Sequence, residues 1–460
     1  MPSLFIPVVV IIGLIIYFKK PQWLLLYWIA IEPVIYPFFV LSIADVTILQ
    51  ETHGYNAEAR RDLVFIIIVI EFFKTRKIPN GVMRILTPLL VIFIYLLINN
   101  FAIHPRLARA GTLTGGIGGT IVSLTSLVSL LILLCFNPNL VPSRKVAINF
   151  ILLLLGYELI WMFLNIKGIY SFTPFNLGFY YDSNGHLTSM EENNLIQGSF
   201  LRFNKLSNFL TTIYLFIAIE YFLFQRIRTK PFMLIAFVMC LMVLATGARM
   251  SVLQMGFITL MCSVMNYRRY KSFVTAICVL GVVIIVFLTS ITDTDITPFD
   301  GVNRVLEGLS GVFQGKGTGA KASLNMSGYL MEHYFYANPL FGNGLSYQGE
   351  NAYRANMMNT TLTLFRADST VVYYLVEYGI FGFLIFFSLL FKSCTLLMVG
   401  QGKRVQKAVI ATLLYFSLLT ITEIGFFDPL CFPLTFIYFF TLVLNNGSDL
   451  KYIALKGNNQ

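Results

Sequence analysis

Long apolar runs alternate with short polar ones from one end of this chain to the other. Apolar stretches of 18 or more residues recur along its whole length. Such runs are long enough to cross a hydrocarbon layer as helices. The period-2 alternation that marks the strand of a membrane barrel is absent. The pattern predicts helical spans over 3–18, 22–43, 62–74, 84–103, 113–136, 146–166, 206–224, 231–247, 251–266, 272–290, 370–391, 408–426 and 429–446. The fold class expected is all-α, a polytopic helical membrane protein with about 12–13 transmembrane helices and one large loop on a single side. Residues 1–290 form a bundle of about ten spans with a smaller loop at 167–205. Residues 291–369 are the large loop, 370–446 the last three spans, and 447–460 a tail.

Composition agrees with that pattern. The 460 residues are 57% apolar and 12% charged, against about 25% charged in soluble domains. The net charge of +11 is not spread evenly. One set of alternate loops holds Lys19 and Lys20; Lys74, Arg76, Lys77 and Arg84; Arg144 and Lys145; Arg226, Arg228 and Lys230; Arg268, Arg269 and Lys271; and Lys392, Lys403, Arg404 and Lys407. With Lys451 and Lys456 of the tail these make 20 of the 33 basic residues. That side is expected to be cytoplasmic, so the basicity reports membrane orientation rather than a nucleic-acid partner. The alternation needs no skipped span, which supports thirteen. The first twenty residues carry neither a basic leader nor a small-residue cleavage site, so they are expected to be a retained span.

The six cysteines (Cys135, Cys240, Cys262, Cys278, Cys394 and Cys431) lie in or at the ends of apolar segments. They imply no disulfide framework and show no metal-ligand spacing. No repeat of supersecondary size is visible, so a transporter built from inverted halves has no support in the pattern. Nucleotide-binding glycine motifs, paired metal-binding aspartates and HExxH are all absent, so no cofactor and no metal is expected.

The side opposite the basic loops carries both long loops and all four histidines. The stretch "MEHYFYANPLFGNGLSYQGENAYRANMMNTTLTLFRADS" mixes Tyr, Phe, Asn, Arg and carboxylates. Aromatic faces stack on sugar rings while amides and charges bond hydroxyls, so a carbohydrate-facing surface is expected there, with Tyr334, Tyr336 and Arg354 as contacts.

Charges that sit against apolar runs are the candidate chemistry. "LATGARMSVLQM" places Arg249 at a tight outer turn between two spans. A guanidinium keeps its proton, and one near hydrocarbon costs about 2.5–3.5 kcal/mol on insertion scales. It is satisfied either by a lipid phosphate or by a cavity between helices. Arg202 leads "LRFNKLSNFL" into the seventh span, and Arg366 precedes the eleventh. The three arginines are separate head-group anchors or converge on one anion, whose oxygens an arginine fork matches in pairs. A polyprenyl pyrophosphate has its lipid in the bilayer and its charge at that depth. Asp368, Glu332 and His333 are the candidate bases for an attacking sugar hydroxyl, with helix capping as the other role open to Asp368. Glu32 and Glu158 lie deep in spans, where they either serve proton coupling or bond neighbouring helices. Glu71 and Glu220 lie nearer the cytoplasmic ends and can snorkel.

Three stretches together resemble the O-antigen polymerase and ligase superfamily of bacterial envelope glycosyltransferases. "LATGARMSVL" resembles its T-G-x-R segment, "NPLFGNGLSY" its N-P-x-x-G-x-G segment, and "DSTVVYYLVEYGIFGF" its segment ending L-x-E-x-G-x-x-G. "LRFNKLSNFL" resembles an Arg-led segment of the same family more weakly. The resemblance covers roughly residues 200–390. It implies a membrane glycosyltransferase of the inner membrane, without nucleotide or metal. Such enzymes move a sugar chain from undecaprenyl pyrophosphate to an acceptor hydroxyl at the periplasmic face. Ligases of the family carry a histidine where this chain has Asp368, so the resemblance points to a Wzy-type polymerase. Donor and acceptor are then both lipid-linked oligosaccharides, and a chain-length regulator is a partner. The family usually has about twelve spans with both ends cytoplasmic, one fewer than counted here. An O-antigen ligase stays open as an alternative. So does a flippase or proton-coupled exporter of the same lipid-linked sugar, in which Glu32 and Glu158 would matter and the large loop would not.

Overall fold

The computed structural model describes residues 4–41, 55–103, 117–164, 198–200, 203–275, 328–344, 370–398, 401–422 and 430–445, with a short strand pair at 179–181 and 187–189 and a few single residues. It is a helical bundle. Its helices are α1 (Phe5–Lys19), α2 (Leu24–Ala30), α3 (Tyr36–Leu41), α4 (Tyr55–Thr75), α5 (Asn80–Leu97), α6 (Gly118–Phe136) and α7 (Arg144–Leu164). They continue as α8 (Phe203–Ala218), α9 (Thr229–Ala245), α10 (Arg249–Val264), α11 (Thr370–Met398), α12 (Lys403–Thr422) and α13 (Cys431–Asn445). Where the described residues reach, these follow the predicted spans closely. Among them five helical stretches are long and apolar enough to cross a membrane, and five shorter ones are apolar as well. Residues 167–178 of the smaller loop, most of 276–327 and all of 345–369 lie outside the described residues.

Both the interior and much of the outer surface are apolar. Leu153, Phe237, Leu234 and Phe73 are each more than 60% exposed, which lipid tolerates and water does not. Inside, one continuous apolar cluster runs from Phe5 to Leu442. α1 lies along α4, with Gly13 against Leu63. α8 packs on α9 and α10, α10 on α12, and α11 between α5 and α12.

Among the described residues, three of the four π-helical turns hold a buried polar residue. Ile31–Ile35 contains Glu32, next to Pro33, whose missing N–H prevents regular pairing. Ile98–Ile103 extends α5 and contains Asn99 and Asn100. Ile219–Leu223 extends α8 and contains Glu220.

Two readings of the sequence are corrected. α4 begins at Tyr55, upstream of the predicted start at 62, because its first turns are neutralised from outside. Arg60 is 1% exposed, forms an ion pair with Glu32, and lies over the Trp28 ring at 5.2 Å. Glu71 and Glu220 do not snorkel but are buried and paired. Glu71 accepts from the Tyr17 hydroxyl at 2.5 Å and from Asn137 Nδ2 at 2.6 Å. Glu220 pairs with Arg144 at 2.5 Å and Arg226 at 3.7 Å. Cys135, Cys240, Cys262 and Cys394 are in no disulfide.

Candidate functional site

The 29-residue helix α11 is broken ten residues in. Gly379 adopts φ +67°, ψ −173°, a conformation open in practice to glycine alone. The break releases the carbonyls and N–H groups on either side of it, and unpaired backbone groups inside a membrane protein each cost several kcal/mol. Residues 339–344 occupy the break and satisfy them. Asn343 N–H donates to Val376 O and Gly344 N–H to Glu377 O, each at 2.9 Å. In the other direction Ile380 N–H donates to Pro339 O at 2.9 Å and Phe381 N–H to Leu340 O at 3.1 Å. The Tyr95 hydroxyl from α5 takes the remaining Tyr378 carbonyl. Asn99 Nδ2 donates to Phe341 O at 2.7 Å.

This crossing explains why both strands of it need glycine. A Cβ on Gly342 would stand 2.5 Å from the Glu377 carbonyl, and one on Gly379 would strike the Leu340 carbonyl. The two glycine-bearing segments, "NPLFGNG" and "LVEYGIFG", are therefore two halves of one junction. Part of the stretch expected to face carbohydrate is instead spent on holding the loop against α11.

The junction fixes the candidate bases. Met331–Phe335 is a π-helical turn carrying Glu332 and His333, both exposed, and Tyr334, half-buried. Phe335 and Leu330 pack with Val376, and Val372 and Tyr373 of the first turns of α11 close the cluster. Asn343 ties the two together, its Nδ2 donating to Tyr334 O and to Val376 O at 3.0 Å each. The Tyr329 ring stands edge-on to His333, with centroids 4.2 Å apart. Tyr336 is 68% exposed. Glu332 and His333 thus sit at the start of α11. Asp368 precedes that helix by two residues in sequence and lies outside the described residues, as do Arg354 and Arg366.

The arginine segments are positioned by separate devices. α9 ends in a turn at Thr246 and Gly247 (φ +70°). The Thr246 hydroxyl donates to Val243 O at 2.7 Å and accepts from Ala248 N–H at 3.3 Å. Arg249 is then the first residue of α10; its side chain lies outside the described atoms. Arg202 also falls outside the described residues, but its neighbours on both sides are held by the two deep acids. Glu158 of α7 accepts the Ser199 N–H at 3.0 Å and the Ser199 hydroxyl. Glu32 pairs with Lys205 at 3.4 Å as well as with Arg60. Since α8 packs along α10, the helices that Arg202 and Arg249 introduce are direct neighbours.

Several polar groups escaped the sequence pattern. Asn99 and Tyr95 work by satisfying backbone groups of segments more than 240 residues away. Ser251 Oγ, both amide atoms of Gln254, and Asn208 Oδ1 are buried on α10 and α8 with no hydrogen-bond partner among the described residues. The available signal was a single Gln in an apolar run, five residues after Arg249.

Residues 234–387 match a family model described as O-antigen ligase. The match takes in the turn before Arg249, the π turn and the α11 junction, and supports placing the chain with the O-antigen ligase and polymerase superfamily. It implies a membrane glycosyltransferase-like enzyme of O-antigen assembly. No curated protein matches the chain.

Proposed function

We propose that the chain polymerises undecaprenyl-pyrophosphate-linked oligosaccharide repeat units into O-antigen or a related surface polysaccharide. It would act at the periplasmic face of a bacterial inner membrane, without metal or nucleotide. The observation that carries this reading is the junction of residues 339–344 with α11. It brings an exposed acid and an imidazole to the end of a membrane helix inside the segment that matches the O-antigen ligase family.

Arg202 and Arg249 hold the donor pyrophosphate in this reading, with Arg366 beside them. A cation at the first position of a helix adds to the positive end of the helix dipole, an unfavourable pairing unless an anion joins the two. α10 begins in that way. The acceptor hydroxyl forms the new bond to the donor's anomeric carbon as the bond from that carbon to pyrophosphate oxygen breaks. The hydroxyl proton passes to Asp368 or to the Glu332–His333 pair, and undecaprenyl pyrophosphate leaves with the electron pair. Arginines at the leaving oxygens stabilise its charge, a contribution of roughly a few kcal/mol per donor. Tyr334, Tyr336 and Arg354 cover the sugars.

The family description favours ligation to lipid core as the second reading. One experiment separates them: a lipopolysaccharide ladder from a deletion strain complemented with wild type or with Arg249→Ala. Core carrying a single repeat, at normal protein level, supports polymerisation. Core with no repeat at all supports the ligase or a flippase. An unchanged ladder removes Arg249 from the chemistry.

A further inference from the structure

A second feature lies at the opposite end of the bundle. α7 and α9 border a groove of about 390 Å³ whose floor is formed by α8 and α13. Its walls are almost wholly apolar, with Ala147, Ile151, Ile235 and Ile437 among them. Leu152 and Pro231, which line it, are themselves exposed, so it opens sideways rather than inward. One end is charged: Arg144, Arg226 and Arg228 line it, with Glu220 as the one acid among the described residues there.

That acid is already saturated by Arg144, Arg226 and the Tyr438 hydroxyl, the last at 3.4 Å. Arg144 keeps an Nε with no partner among the described residues, and exposed Arg228 has no acidic partner among them. A second hollow of about 340 Å³ shares Arg226 and adds Lys403 and Arg404. The excess of positive charge therefore extends beyond the groove. These residues belong to the loops whose charge assigns them to the cytoplasmic side.

An apolar slot open to the bilayer, ending in an excess of arginine charge at head-group level, matches one occupant in both shape and charge. We propose that the groove binds an anionic glycerophospholipid of the cytoplasmic leaflet. An acyl chain lies along Ala147, Ile151 and Ile235, and the head-group phosphate sits at Arg144 and Arg228. The site is independent of the sugar chemistry at the far end of the bundle.

The test uses the full chain purified in detergent and supplied with equal amounts of phosphatidylglycerol and phosphatidylcholine, with retained lipid counted by native mass spectrometry. Phosphatidylglycerol is expected to be retained preferentially. Arg228→Gln and Arg144→Gln should each weaken retention about fivefold. Arg228→Gln breaks no ion pair among the described residues, so it reports on the site even if Arg144→Gln perturbs folding by freeing Glu220. Ala147→Trp, which fills the slot and leaves every charge in place, should also abolish the preference. Equal retention of the two lipids would overturn the proposal, leaving only ordinary annular lipid. A preference that survives Ala147→Trp would overturn it too, by placing the attraction outside the groove.

Discussion

Glu158, in the middle of α7, accepts both the backbone N–H and the hydroxyl of Ser199, 41 residues further along the chain. A proton carrier would need that carboxyl to cycle between charge states. A structural anchor needs only its acceptors. Glu158→Gln keeps an acceptor and is expected to leave polymer length near wild type. Glu158→Leu orphans a buried N–H and hydroxyl and should cost about 1–3 kcal/mol for each, seen as a lower melting temperature in detergent. Loss of the polymer ladder in Glu158→Gln with unchanged melting would favour the exporter instead.

Arg60 and Glu32 form an ion pair with side chains 2% and 6% exposed. Removing Arg60 leaves buried Glu32 with Lys205 at 3.4 Å as its remaining cation among the described residues, so Arg60→Ala should destabilise by less than the ~3–5 kcal/mol of a fully stranded buried charge. Replacing both, as Arg60→Met with Glu32→Leu, should recover much of that loss, because well-packed apolar groups substitute for buried pairs and Lys205, whose side chain is 30% exposed, keeps access to water once Glu32 is gone. Thermal unfolding of the two variants beside wild type decides it: a double variant no better than the single one contradicts the pairing.

Gly379→Ala and Gly342→Ala each place a methyl group into the facing backbone, and at Gly379 into a conformation that alanine resists. A loss of roughly 3 kcal/mol or more is expected, with little folded protein in the membrane. At Gly256 on α10, nothing lies within 4 Å of the point a Cβ would occupy, so Gly256→Ala should be neutral or stabilising by up to about 1 kcal/mol. Equal yields for all three alanine variants would rule out the tight crossing.

Asn343→Ala removes two hydrogen bonds that connect the Glu332–His333 turn to α11. With the bond that Asn338 Nδ2 donates to Asn343 Oδ1 at 3.0 Å, three side-chain bonds are lost, worth about 1.5–4.5 kcal/mol together and confined to the junction rather than the bundle core. Polymerisation in membranes should therefore fall by much more than protein level does. A parallel fall in both would make Asn343 part of the fold alone.

Much of the architecture was legible from period and charge, because hydrophobic runs of span length have one solution in a bilayer. The helices at 144–164, 229–245 and 431–445 lie within a few residues of their predicted spans. The deep acids were visible as anomalies, but their partners were not. Arg60 and Ser199 stand far from Glu32 and Glu158 in sequence, and only packing brings them together. The break in α11 was hidden for the same reason. Gly379 looks like any glycine in an apolar run until residues 339–344 arrive to fill it. Among the site residues, the backbone start at Arg249 and the grouping of Glu332 with His333 followed from the pattern. The arginines' common target depends on side chains outside the described residues.

The junction at Gly379 has a topological corollary. Gly344 is bonded to Glu377 and Thr370 begins the same helix, so residues 345–369 depart from and return to points about two turns apart on one rod. The two ends of whatever lies between are thus held a short, fixed distance apart. The entropic cost of closing a chain between such ends grows only slowly with its length, so nature or an engineer can exchange one insert there for another of different length and chemistry. The bundle, and the lipid it holds, need not register the change.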